Sequence, residues 1–153
     1  MNQRYVNYGR NNYQSRNYKL NEEQIKVDTK KIFKDKKDGE DYKEYIKEIE
    51  RITKNLEIST TKLRKLFEIV ESIRDDLKRE NSDKDAEKKI LEKLLKFRVI
   101  LEYLKNKEKD HKYYFILKEV VDYVINDPNK KNYKTFVDTM EAIIAFSKNK
   151  KGE

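Results

Sequence analysis

The stretch ISTTKLRKLFEIVESIRDDL, residues 58–77, decides the fold. Leu63, Leu66, Phe67, Val70, Ile73 and Leu77 recur at spacings of three and four, which places them on one face of a helix and leaves the charges to the other. A strand would alternate every second residue, and this stretch does not. Ser59, Thr60 or Thr61 supplies the N-cap, because a hydroxyl accepts from the N–H groups that the first helical turn leaves unpaired.

The same period runs outward in both directions. Before it, Tyr42, Tyr45, Ile46, Ile49, Ile52 and Leu56 give a first packed helix after Lys36-Lys37-Asp38-Gly39. After the polar loop at 78–85, a third helix from about Ala86 to Lys105 carries Ile90, Leu91, Leu94, Leu95, Phe97, Ile100, Leu101 and Leu104. Its apolar arc is wide enough to touch two neighbours. The fourth, His111 to Asn126, is the most apolar and is expected to be the central helix. Asp127-Pro128 then breaks the pattern, since proline removes a donor and pushes the residue before it out of helical geometry. A last helix carries Tyr133, Phe136, Val137, Met140, Ile143 and Ile144. With three glycines in 153 residues there is little material for tight hairpins. The expected class is all-α: a compact bundle of about five helices over residues 39–153, preceded by a basic extension over 1–38.

That extension differs in composition. Residues 1–20 hold four tyrosines, five asparagines, Arg4, Arg10, Arg16 and Lys19 and no acid, so half of the formal net charge of +8 sits there. With almost no aliphatic residues it buries too little surface to offset its ordering entropy and is expected to be flexible. Its interleaved Tyr and Arg suit stacking on bases and neutralising phosphates. Leu20 to Lys37 reads as a weak or conditional helix, with Ile25, Ile32 and Phe33 as its core candidates.

Composition also limits the chemistry. The chain is 43% charged with a positive balance, which fits an acidic partner such as nucleic acid. It has no cysteine, which excludes disulfides and thiolate chemistry. Its apolar runs are far shorter than the roughly 20 residues that span a bilayer, and its start has no apolar core for a secretion signal. A cytoplasmic location without membrane contact is expected. Gly9, Gly39 and Gly152 cannot build a phosphate loop or a dinucleotide fingerprint. The single histidine, His111, cannot form a two-histidine metal site, and acid pairs such as Asp75-Asp76 point to different sides of a helix. No catalytic residue, metal or cofactor is expected.

One feature of 58–77 stands apart from the packing. The positive end of a helix dipole favours Asp and Glu in the first turn, yet this turn carries Lys62, Arg64 and Lys65. The capping-box acid is absent too: three residues after Ser59 stands Lys62. Hydroxyls, N–H groups and cations together suit an external anion such as a phosphate. The alternative is a solvated basic face, with Arg64 paired to Glu68 one turn on for a few tenths of a kcal/mol.

At these residues the chain resembles a known family. STTKLRKLFEIVESI, residues 59–73, is similar to the Thr-Thr-x-x-Leu/Ile-Arg-x-Leu helix of the small subunit of type III-A CRISPR effector complexes. FVDTMEAIIAFSK, residues 136–148, resembles that family's closing helix, and the likeness runs from about Asp41 to Lys148. The family's small-residue, Gly, Arg run after its middle helix corresponds to Lys105-Asn106-Lys107, which is basic but lacks the glycine. The resemblance implies a non-catalytic all-α subunit that stacks with other subunits and with further copies of itself along CRISPR RNA and its target RNA. It places RNA contact first on Lys62, Arg64 and Lys65, and second on Arg98, Lys105 and Lys107. The reading set against it is a helical protein-binding scaffold or regulator with no direct nucleic-acid role.

Overall fold

The computed structural model describes residues 26–54, 56, 59–77, 82–107 and 112–147, and among them it contains six helices and no strand. They are α1 (Thr29–Phe33), α2 (Gly39–Thr53), α3 (Thr60–Leu77), α4 (Asp83–Lys107), α5 (Lys112–Asn126) and α6 (Lys130–Phe146). The all-α bundle expected from the periodicity is present. The readings made for residues 1–25 and for His111 lie outside the described residues.

Four of the helix starts follow from their caps. Asp28, Asp38 and Asn129 accept from the N–H groups of Lys31, Asp41 and Asn132, which satisfies first-turn donors of α1, α2 and α6. At α4, Ser82 Oγ accepts from the Asp85 N–H at 3.2 Å and donates to the Asp85 carboxylate at 2.8 Å. That bond fixes the hydroxyl and starts α4 at Asp83, three residues earlier than the periodicity places it. α5 stops where the Asp127 N–H bonds the Val124 carbonyl at 3.1 Å, just ahead of Pro128.

The last helix is the centre of the bundle. α6 packs against all five others, whereas α5, which hydropathy marks as central, lies against α4, α6 and α1. The difference is physical: α6 buries polar groups whose hydrogen bonds are made. Thr139 is fully buried with its hydroxyl 2.9 Å from that of Tyr45, and buried Asn132 donates to the Asp127 carbonyl at 3.0 Å. Around α6 the core gathers Ile49, Leu66, Leu94, Phe97, Leu117 and Phe136, with Phe97 and Phe136 edge to face at 5.9 Å. Buried Tyr133 also donates its hydroxyl to the Val70 carbonyl of α3. Along α3, Leu63, Leu66 and Val70 are buried and Phe67 is partly so, as the stripe requires.

The segment ahead of α2 is built into this core. Val27, Ile32 and Phe33 are buried, and Phe33 stacks on Tyr123 of α5 at 4.1 Å. Its backbone is tied by carboxylates: the Val27 N–H donates to Glu119 at 2.5 Å and the Asp28 N–H to Glu48 at 2.7 Å. Glu48 is buried, and Arg51 satisfies it with two bonds of 2.7 Å while also donating to the Lys26 carbonyl. A buried carboxylate is costly unless it is paired in this way.

Candidate nucleic-acid interface

At the start of α3, Ser59 Oγ accepts from the Lys62 N–H at a long 3.4 Å, and the Leu63 N–H bonds the Ser59 carbonyl at 3.1 Å. Ser59 is therefore the cap among the three hydroxyl residues. The first turn holds no acid, unlike those of α2 and α4. Because Leu63 and Leu66 face the core, Arg64 and Lys65 project outward and are exposed, with Lys62 half-buried at the flank. Among the described residues no carboxylate lies within ion-pair distance of Arg64 or Lys65, so the pairing of Arg64 with Glu68 is not made. Two cations and the positive end of an eighteen-residue helix face solvent together.

The cations of α4 are engaged differently. The Arg98 side chain is only 18% exposed, and its guanidinium donates to Asp122 of α5 and to Glu102, each at 2.9 Å. Burial alone would lower its pKa, but bonds to Glu102, Asp122 and the Tyr114 hydroxyl outweigh it and raise the value. Tyr114 is a shared hub: its hydroxyl donates to Glu102, and the Lys105 ammonium lies 4.7 Å over its ring. The Tyr114 bond and then Arg98 hold the Glu102 carboxyl below its ordinary range. Lys105 also pairs with Glu102 at 3.7 Å, and Lys107 sits 4.7 Å over Tyr103. The six candidates thus divide: the α3 group contains exposed cations, and the α4 group is held by carboxylates and aromatic rings.

Beyond these, α4 carries an apolar ridge. Leu95, Val99 and Tyr103, spaced four apart, are exposed, so the wide arc expected to meet two neighbours is only partly covered by α3, α5 and α6. Spacing alone could have shown this ridge, but not that it stays uncovered. Tyr42, expected in the buried stripe of α2, is also exposed. Among the described residues there is no group of three or more His, Cys, Asp and Glu able to hold a metal, and no helix long and apolar enough to cross a membrane.

Comparison with known proteins adds one finding. The family model described as Csm2 Type III-A matches residues 37–153, which takes in α2 to α6 and leaves α1 outside. No curated protein matches, and no solved structure does.

Proposed function

The chain belongs to the Csm2 type III-A family and so is a subunit of a type III-A CRISPR complex, and from that premise we propose that it contacts the backbone of the RNA in the complex without catalysing a reaction. The observation that carries this reading is the acid-free, exposed cationic start of α3 inside the matched region. Lys62, Arg64 and Lys65 meet phosphates there. Lys107 and Lys105, in the last turn of α4, extend the contact, and Arg98 positions Tyr114 and Glu102 beneath Lys105.

Backbone contact is the mode that suits such a subunit. Phosphate contacts fix register without reading bases, and in guide-directed complexes base pairing supplies the sequence specificity. The chain's contribution is electrostatic and repeated. One copy binds weakly, and copies held in register by neighbouring subunits gain through effective concentration. The ridge of Leu95, Val99 and Tyr103 supports contact between successive copies, because an apolar ridge at helical spacing is the kind of surface a second chain covers. The work takes place in the cytoplasm, on CRISPR RNA and target RNA.

The test is RNA binding by the full chain at several salt concentrations, comparing wild type with the Lys62→Glu, Arg64→Glu, Lys65→Glu triple variant. Three phosphate contacts correspond to a slope of about 2 in log affinity against log salt, at roughly 0.7 per contact for single strands. The variant is expected to lose that slope. An unchanged affinity and slope in a folded variant would overturn the assignment.

A further inference from the structure

Residues 33–36, ahead of the family match, complete a basic concavity with residues of α2 and α6. Residues 33–37, the first turns of α2 and the first half of α6 enclose a cleft of about 470 Å³, within the size range of nucleotide-scale sites. Lysines 34, 36, 37, 131 and 134 line it, against Asp35 and Asp138. Phe33, Tyr42 and Tyr45 supply its aromatic wall.

These lysines fall into two kinds. Lys36 is fixed: its ammonium donates to the Ile32 carbonyl at 2.8 Å and lies 4.3 Å over the Tyr45 ring, and burial lowers its pKa. Lys34 pairs with Asp41 at 3.1 Å and Lys131 pairs with Asp35. Lys37 and Lys134 are exposed, and among the described residues no carboxylate lies within ion-pair distance of either ammonium, although the Lys37 backbone N–H donates to Asp41 at 2.9 Å. Tyr42 lines the same cleft, 56% exposed, an aromatic that the core does not use. Unneutralised cations beside an exposed ring form the arrangement that tracks phosphate while stacking a base.

The geometry points to a binding site for a nucleoside phosphate, presented as part of a single nucleic-acid strand, with the base against Tyr42 and the phosphate between Lys37 and Lys134. This site goes beyond the α3 contact: it uses none of the same residues. It also depends on Phe33 to Lys36, which lie ahead of the matched region. Tyr45, which lines the cleft, is bonded through its hydroxyl to that of buried Thr139, so the helix carrying Tyr42 is anchored to α6.

The experiment uses the full chain and a fluorescein-labelled single-stranded 12-mer of uridine, with three variants whose fold is checked by circular dichroism. Tyr42→Ala is expected to weaken binding by roughly tenfold or more and leave the salt slope unchanged, since stacking carries no charge. Tyr42→Phe is expected to bind as wild type. Lys37→Glu with Lys134→Glu is expected to lower the slope by about 1.4, two contacts at roughly 0.7 each. Displacement of the label by adenosine monophosphate would assign the cleft to a free nucleotide, and displacement by unlabelled strand alone would assign it to a polymer; the first outcome corrects the source and the second supports it. Wild-type affinity and slope in both Tyr42→Ala and the lysine variant would overturn the proposal. Because the α3 triple variant changes other residues, failure here and failure of the α3 assignment read out separately.

Discussion

Replacing Arg98 by methionine separates a structural cation from a phosphate contact. The substitution keeps most of the buried stem and removes the two 2.9 Å bonds to Asp122 and Glu102. Breaking a fully buried ion pair costs about 3–5 kcal/mol because it strands a charge, and breaking an exposed one costs about 0–1. This site lies between those limits. Arg98 is nearly covered, but its partners are 37% and 44% exposed, and neither would be orphaned. Asp122 keeps Lys118 at 3.4 Å, and Glu102 keeps the Tyr114 hydroxyl and Lys105 at 3.7 Å. A loss of about 1–2 kcal/mol is therefore expected, which for a chain of this length lowers Tm by roughly 2–8 °C. Urea denaturation should show a lower midpoint with an unchanged slope, and RNA binding by the folded variant should keep the wild-type salt dependence. The reasoning is refuted if stability is unchanged while the salt slope falls by about 0.7, because the guanidinium would then be spending its charge on a phosphate.

Glu48→Gln removes the charge that holds Arg51 in place and ties the Asp28 amide to α2; about 1–3 kcal/mol of stability should be lost, with faster hydrogen exchange at the Val27 and Asp28 amides than at α4 core amides as the local signature. Acid should destabilise the fold in a specific window. The Asp41 carboxyl is held below its ordinary value chiefly by the Lys37 N–H and then by Lys34, and Glu102 chiefly by Tyr114 and then by Arg98. A folded pKa below the unfolded one gives stabilisation that is full above about pH 5 and is lost as pH falls through 4 and below. Thermal melts across that range should flatten in an Asp41→Asn, Glu102→Gln double variant, and an unchanged acid limb would contradict the assignment.

Helix content was legible because buried faces impose a period, and α2, α3, α5 and α6 carry theirs openly. What the period does not encode is how many sides of a helix are covered. α5 reads as central because its residues are apolar, yet α6 is the hub, and its buried Thr139 and Asn132 look like surface residues until Tyr45 and the Asp127 carbonyl are brought to them. Tyr42 fails in the opposite sense. It keeps the spacing of Tyr45 and Ile49, but the chain from Phe33 to Lys37 passes beside it and leaves a cleft where a neighbour would have closed the face. The ridge of Leu95 and Val99 is the same case on α4.

The cations were harder, and two pairs explain why. Arg64 with Glu68 and Arg98 with Glu102 share the same one-turn spacing, worth a few tenths of a kcal/mol in an isolated helix. Only the second pair forms, at 2.9 Å. Its guanidinium is fixed from outside the helix by Asp122, 24 residues away, and its carboxylate by the Tyr114 hydroxyl, so the local pair costs little further ordering. Arg64 has no such frame, because its side of α3 faces solvent, and it keeps its rotamer freedom and its charge. A long-range contact that neutralises one arginine and spares another leaves no local trace. In a chain with 37 lysines and arginines, the sequence can therefore show where positive charge is dense, while tertiary contacts decide which charges remain to meet a phosphate.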